Sequence, residues 1–186
     1  MNVLAISGSP RKGGNTDVVI KKVLEGMGLS DHEIITLNEL SIKGCQACRS
    51  CRTEGSTGCA INDDMQGLYE KIKDAEVLIF GSPIYYGYLT GQMKCFIDRW
   101  YAFRDVNRDL RFSEGKKCVF IITQGAPGRE RYESVMTDIR HIFGKYEMDI
   151  KIVVADGVED KGSVAYKDEL LDEAFFRGNE LKQYIN

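Results

Sequence analysis

Five short apolar stretches alternate with segments whose apolar residues recur at helical spacing. The stretches predicted as strands are residues 3–6, 33–37, 76–80, 118–123 and 150–155. Continuous apolar runs of this length suit strands that are buried on both faces of a sheet. The sequence therefore predicts an α/β fold, in which helices cover both faces of a doubly wound, five-stranded parallel sheet.

Composition supports one soluble unit. The chain has 186 residues, of which 43% are apolar and 28% charged, so we predict a single domain over residues 1–186 with a cysteine-rich insertion at 41–62. A net charge of −3 argues against a nucleic-acid or membrane partner. No apolar run approaches the ~20 residues of a membrane helix, and the N-terminus does not resemble a signal peptide. We expect a cytoplasmic protein, where cysteines stay reduced.

A glycine-rich loop, Ser7-Gly8-Ser9-Pro10-Arg11-Lys12-Gly13-Gly14-Asn15-Thr16, joins the first strand to the first helix. A helix N-terminus after such a loop favours an anion. The dinucleotide fingerprint G-x-G-x-x-G is absent, and Gly14 and Asn15 stand where a P-loop needs Lys and Ser or Thr. The remaining hydroxyl, amide and basic groups suit a phosphate monoester bound without metal. The alternative is an ordinary strand–helix turn.

Four of the six cysteines lie within fifteen residues, at Cys45, Cys48, Cys51 and Cys59. Thiolates at this spacing can ligate a [4Fe–4S] cluster, and nearby Lys43, Arg49 and Arg52 can offset its negative charge. Zinc ligation and free thiols remain alternatives, since structural zinc more often uses two separated C-x2-C pairs. Cys118 is predicted to be core, and Cys95 is assigned no chemistry.

The chain resembles a known family. Its phosphate loop, the segment Gly81-Ser82-Pro83-Ile84-Tyr85-Tyr86-Gly87-Tyr88 and the helix that follows resemble the flavodoxin-like NAD(P)H-dependent FMN reductases and iron–sulfur flavoproteins. The resemblance covers residues 1 to about 125. It implies strand order 2-1-3-4-5, with FMN bound at the carboxyl ends of the strands.

The resemblance also implies site residues. It assigns the FMN phosphate to Ser7, Ser9, Arg11, Lys12, Asn15 and Thr16. It assigns the isoalloxazine ring to Pro83, Ile84, Tyr85, Tyr86 and Gly87. It brings Thr123, Gln124, Gly125 and Ala126 to the polar edge of the ring. It makes Cys45, Cys48, Cys51 and Cys59 the ligands of the cluster.

These features predict an FMN-dependent oxidoreductase that moves electrons from NAD(P)H or a reduced ferredoxin-like donor to a second acceptor. The alternatives are a non-enzymatic electron carrier and a flavin-free redox sensor or zinc scaffold. The aromatic loop at 85–88 and the added segment at 100–112 predict a homodimer or homotetramer. No acid–base side chain is assigned: Asp63 and Asp64 are expected to cap a helix, and His32 and His141 are isolated.

Overall fold

The computed structural model describes residues 2–184. Its strands are β1 (Asn2–Ser7), β2 (Ile34–Thr36), β3 (Ala75–Tyr85), β4 (Tyr88–Leu89), β5 (Lys117–Thr123) and β6 (Asp149–Ala155). Its helices are α1 (Asn15–Met27), α2 (Met65–Asp74), α3 (Gly91–Asp98), α4 (Glu133–Gly144) and α5 (Asp168–Lys182). No helix within this range is long and apolar enough to cross a bilayer.

The predicted sheet is confirmed. The five strands other than β4 are parallel and lie in the order β2-β1-β3-β5-β6. This is the predicted order 2-1-3-4-5, since the two-residue strand β4 was not predicted. Ala5 lies opposite Ile34, and Phe80 lies opposite Phe120, which in turn faces Ile152. Strand β4 pairs antiparallel with the end of β3, so the aromatic loop after Pro83 forms a small hairpin.

Helices cover both faces of the sheet, as the alternating pattern predicts. Helices α1 and α5 pack on one face of the sheet. Their backbones come into contact at Gly26 and Gly178, because a Cβ added to Gly178 would lie only 1.9 Å from the carbonyl oxygen of Val23. Helices α2, α3 and α4 pack on the other face. Trp100 is fully buried there and makes edge contacts with Phe80 and Phe143.

Helices α4 and α2 begin in different ways. A 3-10 turn over Arg129–Tyr132 leads into α4, which starts at Glu133. At the start of α2, Asp63 accepts a hydrogen bond from the Met65 N–H at 3.2 Å, whereas Asp64 makes no side-chain capping bond. Capping therefore explains part of the role of Asp63 and none of the role of Asp64.

Candidate functional site

The amino end of α1 presents unpaired backbone donors. Its N-cap is Gly14, which has no side chain to cap the helix, and the first N–H with an intrahelical partner is that of Val18. The N–H groups of the first turn, at Asn15, Thr16 and Asp17, therefore lack helical acceptors. Together with the helix dipole, they form a local environment that favours an anion.

A buried carboxylate shapes the loop before this helix. Asp17 accepts hydrogen bonds from the Ser7 hydroxyl at 2.6 Å and from the Gly13 N–H at 2.7 Å. Farther along the loop, the Ser9 hydroxyl accepts the N–H of Arg11 at 3.2 Å. The Thr16 hydroxyl lies 2.8 Å from that of Thr123, which links the phosphate loop to the end of β5.

Most of the predicted cofactor residues meet at one cavity of about 190 Å³. Ten of the fifteen line it: Ser9, Arg11, Asn15, Thr16, Pro83, Ile84, Tyr85, Thr123, Gln124 and Gly125. They come from the carboxyl ends of β1, β3 and β5, where a doubly wound sheet binds its ligands. Sequence positions more than a hundred residues apart are thus brought to one site.

Five predicted residues do not line this cavity. Ser7 is fully buried behind the loop and donates to Asp17. Lys12 points to solvent and pairs with Glu39 at 2.8 Å. The remaining three are Tyr86, Gly87 and Ala126. Tyr86 is fully exposed at the tip of the hairpin, where it and Gly87 adopt positive φ angles.

Sequence reasoning missed the loop after β6. Val158, Glu159 and Lys161 line the cavity, and the Asn15 side chain holds their loop in place. The Asn15 amide donates to the carbonyl of Val158 at 2.9 Å and its oxygen accepts the N–H of Gly162 at 2.8 Å. The Asn15 side chain is therefore occupied with protein partners, and its backbone N–H, in the first turn of α1, is the group left for a ligand. The position of this loop at the carboxyl end of the last strand was the available signal.

One residue that lines the cavity, Gln124, carries a buried polar atom without a protein partner in the described part of the chain. Gln124 is 3% exposed, and its amide nitrogen donates to the carbonyls of Ala126 and Gly128 at 3.1 and 2.8 Å. Among residues 2–184 its side-chain oxygen has no hydrogen-bond partner. A buried acceptor left unpaired costs about 1–3 kcal/mol, so this oxygen fits a ligand that offers an N–H donor.

The four clustered cysteines line a second cavity, of about 340 Å³. Cys45 and Cys48 are exposed, Cys59 is half-buried and Cys51 is buried. Within residues 2–184 no three Cys, His, Asp or Glu side chains lie close enough to hold a single metal ion. The thiols thus surround a shared space, and no three of them meet at one point.

Backbone strain marks Cys48. Its neighbours Ala47 and Arg49 both have positive φ angles, 52° and 60°, a conformation that is uncommon for residues other than glycine and that clusters at functional sites. The Ser50 hydroxyl donates to the Cys48 sulfur at 3.4 Å, and this bond lowers the pKa of the Cys48 thiol. Burial raises the pKa of the Cys51 thiol.

The insertion starts at the carboxyl edge of the sheet and runs along α3 to the opposite end of that helix. At the amino end of α3, the Thr90 hydroxyl donates to the carbonyl of Gly8 in the phosphate loop at 2.8 Å. At the carboxyl end, Asp98 and Arg99 line the cysteine cavity. The phosphate loop and the cysteine cavity therefore adjoin opposite ends of α3. Cys95, on the same helix, lies near Gly44 and does not line the cavity.

Comparison with known proteins identifies the family. The sequence pattern of the family described as NADPH-dependent FMN reductase matches residues 1–158. This chain belongs to that family. The FMN reductase match extends past residue 125, where the resemblance found in the sequence motifs ended. It includes Val158, in the loop that the Asn15 side chain holds.

Individual relatives and solved structures are similar to this FMN reductase family member along most of its length. An iron–sulfur flavoprotein of Methanocaldococcus jannaschii is 32% identical over 160 residues, which cover 84% of this chain and 77% of that protein. The structure of the Trp repressor binding protein from Bacillus subtilis is 28% identical, with a TM-score of 0.69 over 94% of this chain and 97% of that one. An archaeal flavodoxin, 14% identical, superposes with a TM-score of 0.59 over 100% and 99% of the two chains.

Family membership confirms that the protein is a flavoprotein oxidoreductase, and it supports FMN as the cofactor. It favours the enzyme over the non-enzymatic carrier that the sequence left open. The fold is flavodoxin-like, as predicted.

Proposed function

We propose that this FMN reductase family member moves electrons from NAD(P)H or a reduced ferredoxin-like protein to a second acceptor, using FMN bound in the first cavity. The observation that carries the proposal is the pairing of complementary groups in one cavity. Unpaired N–H donors at the start of α1 suit a phosphate, and the unpaired oxygen of Gln124 suits an N–H of the flavin ring.

The chain supplies binding and orientation. We assign the phosphate to Ser9, Arg11 and the N–H groups of the first turn of α1, with Thr16 beside them. Pro83, Ile84 and Tyr85 would form the wall for the ring, and Thr123, Gln124 and Gly125 would approach its polar edge. Ala126, which was predicted with them, lies outside the cavity. FMN itself would supply the chemistry, accepting two electrons and releasing them in one or two steps.

A paired loss of hydroxyl groups tests the phosphate site. The Ser9→Ala/Thr16→Ala variant removes two candidate hydrogen bonds to a charged group, each worth about 1.5–3 kcal/mol. We expect FMN affinity to fall about 10²–10⁴-fold, measured by quenching of FMN fluorescence on titration. Lys12→Ala is the matched control, since Lys12 is on the same loop but outside the cavity. Equal affinities in the double variant and the wild type would refute the assignment.

We further propose a [4Fe–4S] cluster on Cys45, Cys48, Cys51 and Cys59 that serves as the electron exit. The four thiols face one cavity, and arginines lie around them. The relative from Methanocaldococcus jannaschii is named an iron–sulfur flavoprotein. A cluster of this kind would carry single electrons.

Anaerobic preparation tests the cluster. We expect iron and sulfide in the wild type, and their loss in Cys48→Ala with FMN binding retained. Flavin reduction by nicotinamide should persist in that variant, whereas transfer to a one-electron acceptor such as ferredoxin should collapse. Iron-free wild type would refute the cluster. Unchanged one-electron transfer in Cys48→Ala would make the cluster structural only.

We also propose a cytoplasmic homodimer or homotetramer. Aromatic side chains stand exposed along the hairpin and after α3: Tyr86 is fully exposed, and Tyr85 and Tyr101 are 43% and 48% exposed. Packing of such residues between copies would bury apolar surface that one chain leaves in water. The test is light scattering of the FMN-loaded protein at micromolar concentration. A monomeric mass would contradict the proposed homodimer or homotetramer.

A further inference from the structure

Arg99 is a buried arginine at the end of α3, with a side chain that is fully shielded from solvent. Its guanidinium donates to the two carboxylate oxygens of Asp63 at 2.6 and 3.2 Å. Burial opposes charging of both groups, but their mutual hydrogen bonds outweigh it, so the pKa of Asp63 is lowered and that of Arg99 raised. Both groups are therefore charged at neutral pH.

The same guanidinium holds both ends of the cysteine loop. It donates to the carbonyl of Lys43 at 2.9 Å, two residues before the first cysteine of the loop. It also approaches the carbonyl of Ile61 at 3.4 Å, two residues after the last one. Asp63 adds a third tie by accepting the N–H of Lys43 at 2.9 Å. One ion pair thus fixes the distance between the two stems of the loop.

Only the positively charged member of the ion pair borders the cysteine cavity. Arg99 lines the cavity with the four thiols, whereas Asp63 does not. Within residues 2–184 the Nε of Arg99 is buried and has no hydrogen-bond partner. The positive end of the pair therefore lies nearer to whatever the cysteines hold than the negative end.

We propose that Arg99 is a positioning residue of the cysteine site, and that its charge, opposed by Asp63, sets the reduction potential of the group bound there. The inference rests on the proposed cluster. A reduced cluster carries one more negative charge than an oxidised one, so a nearby cation favours the reduced form. Charges act strongly here because the pair is shielded from water.

Variants of the pair should shift the potential in opposite directions. Asp63→Asn keeps the shape and removes the opposing negative charge, so the reduction potential should rise. Arg99→Gln removes the cation, so the potential should fall. Arg99→Lys keeps the charge but loses the planar fork, so the potential should stay near that of the wild type while iron retention weakens. We expect each of the first two shifts to change the reduced-to-oxidised ratio about tenfold, which is about 59 mV for one electron.

Arg111 provides the matched control. It also donates to the cysteine loop, through the carbonyls of Ser56 at 2.7 Å and Cys51 at 3.1 Å, but it does not line the cavity. Arg111→Gln removes a cation that ties the loop outside the cavity, so it should weaken iron retention and move the potential much less than Arg99→Gln does. A purely structural role for Arg99 would give Arg99→Gln the same behaviour as this control.

The measurement is a potentiometric titration of anaerobically prepared protein, followed by electron paramagnetic resonance, with iron, sulfide and FMN content determined on each sample. Opposite shifts in Asp63→Asn and Arg99→Gln support the assignment. Shifts of the same sign, or none, overturn it while leaving the cluster intact. Iron-free wild type overturns both the cluster and this inference. If Arg99→Gln does not accumulate as FMN-loaded protein, Asp63→Asn alone tests the proposal. A raised reduction potential supports it, and an unchanged or lowered one overturns it.

Discussion

Replacement of Asn15 by Ala should destabilise the fold, and not only weaken phosphate binding. The Asn15 side chain is 8% exposed and ties the start of α1 to the loop after β6. Its amide donates to the carbonyls of Val158 and Asp160 at 2.9 and 2.8 Å. Its oxygen accepts the N–H groups of Gly162 and Val164 at 2.8 and 3.3 Å.

The expected loss follows from these four bonds. Each contributes about 0.5–1.5 kcal/mol net, and buried groups left without partners cost more. A total of about 3–5 kcal/mol is a large part of the ~5–15 kcal/mol by which a typical domain is stable. The free energy of unfolding of a domain this size falls by about 2.5 kcal/mol per molar urea, so the urea concentration at the unfolding midpoint should fall by more than about 1 M.

The assay is urea unfolding of FMN-free protein, followed by circular dichroism, so that loss of cofactor cannot contribute. Ser9→Ala is the control, because the Ser9 hydroxyl lines the same cavity and accepts only the N–H of Arg11 at 3.2 Å. It should shift the midpoint by a few tenths of a molar at most. A midpoint for Asn15→Ala within about 0.3 M of the wild type would refute the reasoning and return Asn15 to a role in phosphate binding alone.

Further variants test the packing and the electrostatics. Gly178→Ala should lower the melting temperature markedly, because its Cβ would overlap the Val23 carbonyl oxygen at 1.9 Å; Gly67→Ala, with nothing within 4 Å, should be neutral or stabilise by up to about 1 kcal/mol. Burial lowers the pKa of Lys116 in the folded protein below its ordinary value of 10.5. Between these two values the unfolded state binds more protons than the folded state. The free energy of unfolding should therefore rise with pH across that window. Lys116→Met should flatten this rise in denaturation curves measured at several pH values; an unchanged slope would contradict it.

The sheet could be predicted from the sequence because its signal is local. Each buried strand is a short apolar run, and a glycine-rich loop marks the end of the first one. The cap of α3 is equally local: the hydroxyl of Thr90, directly before the helix, accepts the Met93 N–H at 3.3 Å. These features depend on residues within a few positions of each other, so single-sequence patterns are enough to find them.

The partners of polar side chains could not be predicted, because those partners are distant in sequence. Asp63 resembles a simple helix cap, yet it is paired with Arg99, 36 residues away. Asn15 resembles a phosphate ligand, yet its side chain binds a loop more than 140 residues away. Local spacing gives no information about such pairs, since they arise only when the strands and helices are assembled.

Helix α3 has a consequence for communication between the two cavities. It has eight residues, Gly91–Asp98, and is therefore about 12 Å long. One of its ends touches the phosphate loop through Thr90, and its other end leads directly into Arg99. Any displacement of α3 that binding in one cavity causes would reach the other cavity through this helix, and it would then alter affinity there. By thermodynamic linkage, that influence must be equal in both directions.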